Sequence, residues 1–360
     1  MARLGISGMV CKIHRGCKMN TSLLYFGPQW SGSTSLQRLR AFQEIEGVTA
    51  FGVDNLVNLE NKASLWSRVR WKLRLPMDVL GENARLLDEV IKNKPEIVLV
   101  DNCKVITRET LVRLREVGVR KLVYYSPDDI AAAHNLSFPL KWSLPFWDIV
   151  CTTKTFNVPE LLAMGVRRPF LIGKAFDRNL HRPLSQAQVG QDFEKFDAVF
   201  VGTYEPERCA SINALAESGV SVVVYGADKG NWHASCLHAG VDLRPSVFAE
   251  DYVRAWHVGK VALCFLRKIN RDRITQRTME IAAIGRPMVA ERTDEHNQHF
   301  LDGLEYLGFN DDAGLVAAVQ KLIHDPAGRI ALGQAGRLRC LSSGYSTVDR
   351  AEQMIQEFLR

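Results

Sequence analysis

The chain has 360 residues, 46% hydrophobic and 24% charged, a balance that excludes a disordered or low-complexity protein. Its net charge of +6 is unevenly spread: residues 1–190 hold 27 basic and 17 acidic side chains, residues 191–360 hold 19 and 23. A basic half at +10 and a mildly acidic half at −4 point to two domains that face different partners, and the length agrees with two.

In chain order, Met1 to Asn20 carries Arg3, Lys12, Arg15 and Lys18 but no apolar core of the kind a secretory signal needs, so residues 1–21 are expected to be an extension. Leu23–Phe26 predicts a first strand, closed by Gly27-Pro28 and followed by a helix from about Thr34 to Glu46. Val48–Val53, Ile97–Val100, Lys121–Tyr125 and Ile149–Thr152 predict further strands, separated by a long helical region over 64–92 and a helix over Arg108–Val117. Continuous Val/Ile/Leu runs alternating with helices are what parallel strands covered on both faces require. A polar stretch between Phe176 and Phe196 predicts a linker, with the boundary at 181–196. The pattern then restarts with Ala198–Val201, Val220–Tyr225, Lys260–Phe265 and Pro287–Ala290. The predicted class is α/β: two Rossmann-like, doubly wound domains facing across a cleft, at 22–180 and 197–345, with a last helical segment over 346–360.

Eight Cys stand at 11, 17, 103, 151, 209, 236, 264 and 340 without a C-x-x-C pair, which argues against a disulfide framework or zinc cluster. The longest apolar runs, such as Val261–Leu266, are far too short to span a membrane. A cytoplasmic protein is expected, at most peripheral at an anionic membrane surface. No helix-turn-helix or RNA-stacking signature is present, so nucleic acid is not an expected partner.

The richest stretch runs from Arg271 through Glu280 to Arg286-Pro287, an Arg-rich loop, a helix starting near Thr275 or Thr278, a Gly285 cap and a Pro that opens the next strand. Glu280-Ile-Ala-Ala-Ile-Gly-Arg-Pro287 resembles the Glu-Ala-x-Ala-x-Gly-x-Pro run of the donor-binding segment in GT-B glycosyltransferases. Phe200-Val-Gly202 with Glu207-Arg208, Tyr225-Gly226, His181-Arg-Pro183, Glu291–His296, Phe300–Glu305 and Gly344-Tyr-Ser346 extend that resemblance toward the group-1-like branch that includes the spore maturation protein CgeB family. It covers about 196–350; the first domain is similar in architecture only.

What the resemblance implies is a glycosyltransferase that moves a sugar from a nucleotide-sugar to a glycan, protein or lipid-linked acceptor. Glu280 falls on the second acid of the branch's Glu-x7-Glu motif, and Asp272 stands where the first Glu would be. By resemblance Glu280 meets the ribose hydroxyls, Asp272 lies near the donor sugar, and the anomeric centre is retained.

A nucleoside diphosphate leaving group develops negative charge that cations and backbone N–H groups must meet where no metal does so. Arg208, Lys268, Arg271, Arg273 and Arg277 are the candidates, with the helix start at Thr275 and Thr278; no Asp-x-Asp pair stands in this domain, so neither cofactor nor metal is expected. Gly202, Tyr225 and Gly226 are candidates for nucleotide contact, as are Gly27, Ser31 and Gly32 in the turn Gly27–Thr34, which is no Walker loop.

In the first domain, Asp101-Asn102 and Ser126–Asp129 follow strands and should project into the cleft, which makes Asp128 or Asp129 the candidate base. Trp66–Arg74 interleaves aromatic and basic residues, suited to stacking on sugars, gripping a phosphorylated acceptor or touching an anionic membrane, and Phe138–Trp147 adds a second aromatic cluster. Two other readings stay open: a nucleotide-sugar epimerase of the same fold, and a non-catalytic protein that binds a glycan or partner.

Overall fold

The computed structural model describes residues 21–56 and 65–360. The expected extension, Thr21 aside, lies outside them, as does the side chain of Arg68.

The first domain holds the strands β1 (Thr21–Gly27), β2 (Val48–Asp54), β3 (Ile97–Asp101), β4 (Lys121–Ser126), β5 (Ile149–Thr152) and β6 (Pro169–Leu171). They form one sheet in the order β2-β1-β3-β4-β5-β6, and every pair is parallel. Its helices are α1 (Thr34–Gln43), α2 (Leu65–Lys72), α3 (Glu82–Asn93), α4 (Arg108–Glu116), α5 (Phe138–Ser143) and α6 (Asn157–Ala163). Every residue of β3 is buried, because helices cover both of its faces; the two apolar layers gather around Val98 and Val100 on one side and Leu99 and Ile97 on the other.

The second domain repeats the plan with β7 (Phe196–Val201), β8 (Val222–Tyr225), β9 (Val241–Arg244), β10 (Gly259–Cys264), β11 (Met288–Glu291) and β12 (Leu307–Phe309), in the parallel order β12-β11-β10-β7-β8-β9. Its helices are α7 (Gln186–Val189), α8 (Pro206–Glu217), α9 (Ala249–Trp256), α10 (Gln276–Ile284), α11 (Asp294–His299), α12 (Asp312–His324) and α13 (Pro326–Ser342). The last helix, α14 (Thr347–Phe358), returns to the first domain: Ala351, Met354, Ile355 and Phe358 join its core, and Phe358 stacks on Phe42 at 6.4 Å.

Three sequence expectations change. The helical region over 64–92 is two helices, because Pro76 and the left-handed Arg74 (φ 62°) and Gly81 (φ 65°) stand between them. β6, β9 and β12 were not predicted; each has only three or four residues and lacks the long apolar run of a central strand. The stretch from Asp177 to Leu184 is not a loose linker, since Asp177, His181 and Leu184 are buried. Its polar side chains are engaged locally: the Asp177 carboxylate accepts from the N–H groups of Asn179 and Leu180, at 2.8 and 3.2 Å.

Candidate active site between the two domains

A cavity of about 430 Å³ lies between the domains, at the carboxyl ends of β1, β3, β4 and β7. Open parallel sheets offer helix starts and exposed N–H groups at this edge. The first domain contributes Trp30, Gly32 and the first turn of α1 together with Arg38, Asp101 and Asn102. From the second come Phe248, Tyr252, Arg277 and Glu280, and His181 enters from the connection between the domains.

Glu280 sits one turn into α10 and is 5% exposed. Its Oε2 accepts from the Tyr252 hydroxyl at 2.5 Å, and its Oε1 lies 3.8 Å from His181 Nε2. His181 Nδ1 accepts from the Asp177 N–H at 2.9 Å, so the hydrogen-bond pattern assigns the neutral-ring proton to Nε2, the atom that faces the carboxylate. Burial pushes the imidazole pKa down against the opposing pull of Glu280. Burial and the Glu280 charge push the Tyr252 phenol well above its usual value, so it stays a donor. One hydroxyl donor thus holds an acceptor-only carboxylate at the cavity wall, with the imidazole N–H nearby.

Arg277, one turn earlier, is half-buried, and its Nε is enclosed without a hydrogen-bond partner. A buried guanidinium N–H left unpaired costs free energy that an incoming acceptor would recover. Gly202 makes room for it: a Cβ there would stand 3.0 Å from an Arg277 terminal nitrogen. Gly226 is required by backbone contact, since a Cβ would meet the Gly202 carbonyl oxygen at 2.4 Å. Gly27 backs onto Asp101 and Ser35, and Gly32 (φ 93°) lies against Phe248, where a Cβ would come within 3.0 Å. Trp30 meets Phe248 edge-on at 5.2 Å, joining the two domains over the cavity.

The other named residues lie elsewhere. Ser31 is exposed and does not line the cavity; the Tyr225 hydroxyl is engaged by Arg244 at 3.0 Å. Thr278 is fully buried and caps α10, accepting from the Thr275 N–H. Its hydroxyl donates to His296 Nε2 at 2.8 Å, because His296 Nδ1 donates to the Glu291 carbonyl. Burial pushes the His296 pKa down to about 4. Arg208 is 2% exposed and braces two loops through the carbonyls of Thr203 and Leu266, each at 2.9 Å. Burial, with the Arg277 charge, lowers its pKa to about 10. Lys268 is on the surface, paired with Glu291.

The loop before α10 reaches across to the first domain instead. Asp272 forms a buried ion pair with Lys154, which follows β5. Arg271 takes Asp129 and Glu160 together, and Asn270 donates to Asp128 Oδ1 at 2.8 Å. Asp128 would be raised by burial, but the Asn270 hydrogen bond and the Lys174 and Lys104 charges lower its pKa. Asp129, fully buried, is likewise lowered: Arg271 and Asn157 outweigh desolvation. Neither carboxylate nor Asp272 lines the cavity. Beside them Lys174 donates to the Pro127 carbonyl at 2.9 Å, and burial together with the Lys154 charge drops its pKa to about 7.

Arg38, Tyr252, Phe248 and Trp30 were missed. Arg38 is paired with Asp101 at 2.5 Å and stacks 4.2 Å over Tyr125. Among the described residues no group of three or more His, Cys, Asp or Glu is placed to hold a metal ion, and no helix is long and apolar enough to cross a membrane.

Residues 208–356 match a family described as glycosyl transferase-like. The structure is similar to Anabaena HepE, solved with UDP and glucose, at a TM-score of 0.64 and 14% identity over 94% of this chain and 99% of that one. Sucrose-phosphate synthase from Thermosynechococcus elongatus gives 0.65 and 14%, covering 94% and 98%, and a glycosyltransferase from Rickettsia africae gives 0.62 and 12% over the same shares. No curated protein matches the sequence significantly. The fold is that of the GT-B glycosyltransferases.

Proposed function

We propose that the protein transfers a sugar from a nucleotide-sugar to an acceptor presented by the first domain. One observation carries this: a buried acceptor-only carboxylate, Glu280, and a guanidinium with an unpartnered Nε, Arg277, stand one helical turn apart in an interdomain cavity. Two adjacent ribose hydroxyls are donors suited to the carboxylate, and a diphosphate is the anion suited to the guanidinium and to the starts of α1 and α10. The match of residues 208–356 to a glycosyl transferase-like family, and the UDP bound by HepE, support the reading.

In this reading the leaving group's charge is met by Arg277 and backbone N–H groups without a metal. Asp272 serves by locking its loop to Lys154, and Arg38 and Asp101 face the reacting end from the acceptor side.

Calorimetric titration with UDP-, GDP-, ADP- and TDP-sugars is the test. At least one should bind, and Glu280→Gln and Arg277→Ala should each weaken it about 10- to 100-fold, as loss of a charge-assisted hydrogen bond does. Absence of binding by every nucleotide and nucleotide-sugar would overturn the donor reading. Turnover should need an acceptor and survive EDTA; donor conversion without any acceptor would mean an isomerising enzyme instead.

A further inference from the structure

The aromatic–basic stretch and the aromatic cluster of the first domain, about 70 residues apart in sequence, form one surface. Phe138 N–H donates to the Arg74 carbonyl at 2.7 Å, Arg74 Nε donates to the Leu136 carbonyl at 2.8 Å, and its guanidinium lies 5.1 Å from the Phe138 ring centre. Phe138 in turn packs on Trp142 at 5.6 Å. A cavity of about 350 Å³ bounded by Trp71, Lys72 and Arg74 on one side and His134 and Leu136 on the other opens where the stretches meet.

Large apolar side chains stand out of this surface. Trp66 is 61% exposed, Trp142 60%, Leu73 58% and Trp71 53%. Cations lie between them: Arg70, Lys72 and Arg74 in one stretch, Lys141 in the other, and Lys104 5.8 Å from the Trp71 ring. From Leu65 to Met77 and from Ile130 to Trp147 the sequence contains no carboxylate. Five cations of the first domain therefore gather where its tryptophans are exposed.

We propose that this face docks on an anionic lipid surface. Separate tryptophans set among cations suit the headgroup layer, where an indole finds both an apolar and a wet side and each cation finds a lipid phosphate. The core of a protein interface is depleted of charge, whereas here cations lie among the exposed indoles. The placement also fits an acceptor carried by the membrane. An apolar cavity of about 550 Å³, lined by Trp71, Met77, Val79 and Leu80, opens beside this face and ends at Asn102, which also lines the interdomain cavity.

The proposal goes beyond the donor reading and is tested separately from it. Full-length protein is sedimented with phosphatidylcholine vesicles, alone or containing phosphatidylglycerol, while nucleotide binding is followed by calorimetry. Binding is expected only to the anionic vesicles and should fall with salt. Lys72→Gln with Lys141→Gln should lower it about fivefold per charge removed. Trp66→Ser with Trp142→Ser should lower it further and remove a blue shift of tryptophan emission. Nucleotide binding should stay unchanged in both, which also reports an intact fold, and Lys321→Gln on the second domain should change neither property. Failure to bind anionic vesicles, equal binding to neutral ones, an equal loss in Lys321→Gln, or self-association through this face without vesicle binding would each overturn it.

Discussion

Two adjoining parts of one cationic stretch meet different fates. From Lys268 to Arg273 the charges are largely spent on protein partners: Lys268 on Glu291, Arg271 on Asp129 and Glu160, Asp272 on Lys154. From Gln276 to Glu280, one turn further on, Arg277 and Glu280 turn to the cavity, and Arg277 keeps an unpartnered Nε. Both parts carry basic and acidic side chains. What separates them is the other domain, whose carboxylates and buried lysine claim the loop but stop short of the helix. A count of arginines therefore locates a charged region without locating its ligand.

The comparison breaks first at Asp272. Removing it leaves Lys154 buried and unpaired, so Asp272→Ala should lose about 3–5 kcal/mol in denaturant unfolding, and Lys154→Met with Asp272→Leu should regain most of it. If Asp272→Ala kept its stability but lost nucleotide affinity, the loop would belong with the helix start and the contrast would fail. Glu280→Gln should do the opposite, keeping the unfolding midpoint while nucleotide affinity falls about 10- to 100-fold by calorimetry.

A smaller effect sharpens the picture of the bridging region. Burial holds Lys174 at about 7 in the folded state, against about 10.4 in the unfolded chain. Between these values the unfolded chain binds more protons, so stability should rise with pH through that window and be flat below it. Lys174→Met should remove a slope of at most about 1.4 kcal/mol per pH unit, read from unfolding midpoints across the window. The least effect is expected from Lys268→Ala, whose exposed ion pair should contribute under about 0.5 kcal/mol and nothing to nucleotide affinity.

Much of the fold was legible because its central strands are continuous apolar runs, and Gly285 (φ 81°) closes α10 ahead of Pro287 as the sequence pattern requires. The short strands β6, β9 and β12 escaped because three or four half-buried residues leave no periodic signal. At the site, Glu280, Arg277 and Gly202 could be named from local motif spacing. Asp128 and Asp129 also follow a strand, but the residues that engage them, Asn270 and Arg271, come from the other domain at a separation of 142 residues. Nothing local announces such pairs. His181 was visible as part of His181-Arg-Pro183, yet its position beside Glu280 depends on the packing of the connection. Tyr252 and Phe248 reach the cavity from the α9 region, which carries no motif at all.

The return of α14 has a mechanical consequence. The backbone passes between the domains at Phe176 and again at Ser346, and the two passages are tied: Phe176 N–H donates to the Tyr345 carbonyl at 3.1 Å and Thr347 N–H to the Phe176 carbonyl at 2.9 Å. A single thread would let one body swivel and slide against the other. Two threads fastened side by side would restrict any relative motion chiefly to a swing about the line that joins them, and such a swing would have to part the Asp272–Lys154 and Arg271–Asp129 bridges.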